Sequence, residues 1–150
     1  MRHDIDQAFT AGQFTDALRL QELLTVDVET VETNSAGKPG EKTSSELVSV
    51  AWYSLFARQA DKALSAAKRA LLIAPERISI ETNRAHALMY LGRAAEARAL
   101  YLVHKDKIVP EQKKKTWQQV IGEDFAALRK AGHEHPQIAE IEAALSVDGK

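Results

Sequence analysis

Apolar positions recur along this chain at three- and four-residue steps, and β-branched runs are short, so the pattern predicts an all-α protein. A short helix is expected over Asp4 to Thr10, broken by Ala11-Gly12. A longer one follows over Thr15 to Thr30, with Ala17, Leu18, Leu20, Leu23, Leu24 and Val28 as its buried stripe. "NSAGKPG", Asn34 to Gly40, has a loop composition. Thr43 begins "TSSE", whose spacing suits a capping box between Thr43 and Glu46. That helix runs to about Ala57, and its partner runs from Ala60 to Ile73, before Pro75. The next pair covers Ser79 to Leu91 and Ala94 to Val103. Lys105 to Lys115 is polar and loop-like. Thr116 to Ala131 places Trp117, Val120, Ile121, Phe125 and Leu128 on one face, and Pro136 opens a last helix with Ile138, Ile141 and Leu145. The sum is eight helices in about four hairpins.

A shift of 34 residues lays Ala51 on Ala85, Ala60 on Ala94 and Ala63 on Ala97, with Leu55 on Met89 and Phe56 on Tyr90. Antiparallel helices whose axes approach to about 8 Å need small residues where they cross. Ala51 and Ala63 fall on the two helices of one hairpin and suit such a crossing, and Ala70 falls where the next hairpin packs.

With Ala51, Ala63, Ala70 and Pro75 in one unit and Ala85, Gly92, Ala97 and Tyr101 in the next, residues 44–104 resemble the tetratricopeptide repeat. Gly12, Phe14 and Ala17 fit a first unit with a longer second helix. Glu81 and Arg84 depart from the family pattern, as do Ala67, His104 and Pro110. The resemblance implies one α-solenoid domain over residues 1–150, with units at about 2–32, 44–77 and 78–109 and a divergent capping hairpin at 110–147. It implies a concave groove lined by the first helix of each pair. Asn83 sits where many such repeats carry an asparagine that bonds a bound peptide's backbone.

Helical phase puts Leu47, Val50, Ala51 and Ser54 on the packed side of their helix. It leaves Val48, Ser49, Trp52, Leu55 and Phe56 towards the groove, and on the next helix Ser79, Thr82, Asn83, His86, Met89 and Tyr90. An apolar groove with a few polar handles suits an amphipathic helix or an extended peptide. The same side chains could equally be covered by the chain's own terminal helices, and a cap of that kind could gate a groove.

Composition narrows the chemistry. A formal net charge of −1 gives no global field to draw nucleic acid or an anionic membrane. The absence of cysteine removes disulfides, thiol catalysis and cysteine-ligated zinc. No signal-peptide core or membrane-length apolar run occurs, so a soluble, cytoplasmic protein is expected. His133 and His135 in "HEHP" lack further ligands for a metal and read as a solvated turn. His3, His86 and His104 show no base-plus-nucleophile pattern. Lys105, Lys107, Lys113, Lys114 and Lys115 lack interleaved aromatics and read as a solvated loop. Asp4 and Asp6 suit the first turn of a helix. No phosphate loop, nucleophile elbow or metalloprotease motif is present.

The expected function is therefore a non-catalytic scaffold or adaptor, without cofactor or metal, that holds a protein or peptide segment. The expected groove is Val48, Trp52, Leu55, Phe56, Thr82, Asn83, His86, Met89 and Tyr90. The alternative is a self-associating or regulatory module of a larger protein, suggested by a chain that starts inside what looks like a first helix.

Overall fold

The structure, a computed structural model, describes residues 1–146. Its helices are α1 (Arg2–Thr10), α2 (Phe14–Ala36), α3 (Glu41–Phe56), α4 (Ala60–Ile73), α5 (Ile78–Tyr90), α6 (Ala94–Val103), α7 (Trp117–Lys130) and α8 (Pro136–Leu145). The expected end of the last hairpin at residue 147 lies outside the described residues. Each of α1 to α5 packs on the next in chain order, and α3 also packs on α5.

Four tight turns join the pairs α1/α2, α3/α4, α5/α6 and α7/α8, and all four use the same backbone geometry. Each has one residue in the left-handed region: Gly12 (φ 79°), Arg58 (61°), Gly92 (80°) and Gly132 (86°). The amide after it bonds back to the preceding helix: Gln13 to Ala8, Gln59 to Ser54, Arg93 to Leu88 and His133 to Leu128. Glycine adopts this conformation without a Cβ clash, and Arg58 adopts it in spite of one. Ala17, Ala63 and Ala97 each follow such a turn at the same distance, and none of them exposes any surface. Ala51 and Ala85, the pair predicted at matching places in α3 and α5, are as fully buried.

The fourth hairpin departs from this pattern. Gln137 stands where the others carry alanine, and its Nε2 donates to the Ala94 carbonyl at 2.9 Å. α8 packs on α6, while α7 crosses towards α5. The segment before α7 is not the plain loop expected. Ile108–Val109 (β1) pairs antiparallel with Lys115–Thr116 (β2) around a tight 3₁₀ turn, Pro110–Gln112. Lys113 and Lys114 close it in the left-handed region, at φ 58° and 60°.

Three local expectations are corrected. α2 continues to Ala36, so only the end of "NSAGKPG" is a loop. Leu23 is half exposed, and Gln21 and Thr25 are buried on α2 in its place. Thr43 does not cap α3, because the helix starts earlier, at Glu41. The cap comes from the preceding helix. One oxygen of Glu32 accepts from the Gly40 amide (2.9 Å), the Thr43 amide (2.7 Å) and the Thr43 hydroxyl (2.6 Å). Its other oxygen accepts from Lys42 at 3.1 Å. The first amides of α3 thus find an acceptor, and a negative charge sits at the positive end of the helix. The capping box that does form is Thr116 with Gln119, at the start of α7.

The Thr43 hydroxyl and the three amides hold the Glu32 carboxyl at about 2, below its usual 4.5. A depressed folded value means that the contribution is complete above about 4.5 and is lost as pH falls through about 2. Glu32→Gln should lower the thermal midpoint at pH 7, and the deficit should shrink between pH 4.5 and 2, as followed by helical circular dichroism. A deficit that does not change with pH would contradict this role.

Candidate functional site

α3 and α5 lie side by side, and Asn83 joins them by donating from Nδ2 to the Val48 carbonyl at 3.2 Å. Arg77, at the cap of α5, donates from Nη1 to Ser45 Oγ at 2.9 Å. Between these helices opens a cavity of about 410 Å³. α3 supplies Val48, Ser49, Trp52 and Tyr53, and the start of α5 supplies Ser79, Thr82 and Asn83. The 3₁₀ turn adds Glu111 and Gln112, and α7 closes the wall with Asp124.

A buried hydrogen-bond chain holds α7 in this position. His86 exposes no surface. Its Nε2 lies 2.9 Å from Asp124 Oδ2, and its Nδ1 lies 2.6 Å from the Tyr101 hydroxyl. A carboxylate only accepts, so Nε2 carries the proton, and in the neutral ring Nδ1 accepts from Tyr101. Burial pushes the Tyr101 hydroxyl well above its usual range, so that it stays a donor. Phe125 packs between them, its ring centroid 5.5 Å from both His86 and Tyr101. Trp117 Nε1 donates to the Tyr101 carbonyl at 2.7 Å. The acid–imidazole–hydroxyl order is that of a nucleophile and its base, but Tyr101 exposes no surface. The chain positions Asp124.

The far end of α7 lands on an aromatic cluster. Phe9, Phe14, Trp52 and Phe56 pack with centroids 4.8–5.4 Å apart. His133 lies against them, 6.1 Å from Phe14 and 5.8 Å from Phe56. Burial, and then Arg58, push its pKa down. Tyr90 donates to the His133 carbonyl at 2.6 Å, and burial pushes the Tyr90 hydroxyl up to about 12. "HEHP" is therefore not a solvated turn at His133. His135 packs edge-on against Tyr90, with centroids 5.6 Å apart, and accepts the Gln137 amide at the start of α8. Among the described residues, no three His, Cys, Asp or Glu side chains are placed to hold a metal ion. No helix of the described residues is long and apolar enough to cross a membrane.

The expected groove residues divide. Val48, Trp52, Thr82 and Asn83 line the cavity together. Leu55, Phe56 and Met89 are buried in the main core instead, because neighbouring helices cover that phase. His86 is buried under α7, and Tyr90 is half-buried against the turn before α8. Glu111, Gln112 and Asp124 belong to the cavity without having been expected there. They come from the divergent hairpin, where the 34-residue shift has no partner for them. The Thr116–Gln119 spacing is a further signal in the sequence for the start of α7.

No family model, curated protein or solved structure matches the chain.

Tyr101→Phe removes the donor to His86 Nδ1 and leaves a buried acceptor unpaired. That should cost roughly 1–3 kcal/mol of stability in denaturant unfolding. An unchanged unfolding midpoint would show that the hydroxyl does not serve His86.

Proposed function

We propose that the chain is a non-catalytic scaffold that holds an extended segment of a partner protein in the cavity between α3, α5 and α7. In this reading α1 to α6 are a short α-solenoid of tetratricopeptide type, and the α7/α8 hairpin caps its concave side. The repeated turn geometry and the fully buried Ala17, Ala63 and Ala97 support the solenoid. The observation that carries the binding site is the meeting of Val48, Trp52, Thr82 and Asn83 around one open cavity. About 410 Å³ lies at the low end of the roughly 300–1,000 Å³ of ligand pockets, which suits a few side chains rather than a whole helix. A half-buried tryptophan at the mouth is a frequent anchor type in protein contacts. Asn83 gives one amide hydrogen to Val48, which leaves its other amide hydrogen and Oδ1 for a bound backbone.

A photo-crosslinking residue at Ser49, on the cavity wall, tests this reading. It should capture a discrete partner from lysate, and Trp52→Ala should abolish the capture while helical circular dichroism is unchanged. The same crosslinker at Leu72, exposed on α4, should not capture that partner. Equal capture from both positions, or capture indifferent to Trp52→Ala, would contradict the site.

A further inference from the structure

The hydrogen-bonding inventory of the cavity narrows what can occupy it, given the binding reading above. Asn83 gives one amide hydrogen to Val48 and keeps Oδ1 as an acceptor. Thr82 spends its hydroxyl proton on the Ser79 carbonyl at 2.7 Å. Asp124 gives Oδ2 to His86, and among the described residues no donor reaches its other oxygen. Its side chain is 19% exposed, so that oxygen is within reach of the cavity. Glu111 makes no ion pair among the described residues and is exposed at the rim. Ser79 lines the same wall at only 6% exposure, and its hydroxyl has no hydrogen-bond partner. Of the charged lining residues Arg77 is the single cation, and it is turned to Ser45. Two carboxylates thus face one engaged guanidinium, so the charge of the lining is acidic.

We propose that the occupant brings a basic side chain, arginine or lysine, of the partner polypeptide into the cavity, where it pairs with Asp124 and Glu111 beside Trp52. A charge-assisted bond to Asp124 is favoured because His86 and Tyr101 already fix the carboxylate, so little ordering remains at binding. The indole of Trp52 offers a face for the cation. Asn83 Oδ1 supplies a neutral acceptor in the wall.

The test is an NMR titration of the isotope-labelled full chain with four probes. They are the blocked peptide acetyl-Gly-Gly-Arg-Gly-Gly-amide, its citrulline and glutamate counterparts, and spermidine. The arginine peptide should shift the Trp52 indole and Asn83 side-chain amide signals, with a Kd about tenfold lower than that of the neutral citrulline peptide. In Asp124→Asn the two affinities should converge. The comparison of arginine with citrulline on the unaltered chain decides the matter even if that variant folds poorly. Equal binding of arginine and citrulline, tighter binding of glutamate, or an Asp124→Asn variant that keeps the preference would overturn the cationic occupant but leave the peptide site standing. Spermidine binding as tightly as the arginine peptide would assign the cavity to small polyamines and overturn the polypeptide partner. No shift at Trp52 or Asn83 with any peptide would remove the site itself.

Discussion

Neighbouring helices in this chain can approach closely only because the side chain between them is a methyl group. Ala17, Ala63 and Ala97 expose no surface, and each sits just beyond a turn that reverses the chain through one left-handed residue. The turn sets where the second helix starts, and the alanine sets how near it comes. A larger residue at these points would push the axes apart and open the packing on both sides. The same closeness brings α3 beside α5, so that the short Asn83 side chain spans them. The cavity wall is a consequence of that spacing.

The last hairpin shows what happens when the rule is relaxed. Gln137 replaces the alanine and reaches back to the Ala94 carbonyl. α8 stays near α6, while α7 turns across the inner side of α5. There its Asp124 and Phe125 cover His86. The covering is polar as well as apolar. Tyr101, His86 and Asp124 form a satisfied chain through the core, and burying such groups without partners would be costly. What remains open is the cavity between Val48 on α3 and Asp124 on α7.

Much of this was legible from periodicity. The apolar steps located all eight helices, and the 34-residue shift identified Ala51, Ala63, Ala85 and Ala97 as buried positions. Local signals misled where a distant group took over. "TSSE" has the spacing of a cap, but the Glu32 carboxylate supplies the acceptor from another helix. Half of the cavity was readable, since Trp52 and Asn83 follow from helical phase. The other half was not, because Glu111 and Asp124 arrive from a hairpin whose placement depends on long-range contacts. His133 reads as a solvated turn from "HEHP" alone, and only the aromatic rings of Phe14 and Phe56 make it a buried residue.

Cavity, relay and aromatic cluster all require α7 to lie across α5 with its far end near the α1/α2 turn. The most direct measurement is a set of nuclear Overhauser contacts in the free protein. Cross-peaks from the His86 ring to Phe125 and Tyr101, together with cross-peaks from the His133 ring to Phe14 and Phe56, are the predicted result. If the α7 resonances instead show contacts to α6 alone, with His133 exposed to solvent, then this placement of α7 and the site built on it are contradicted.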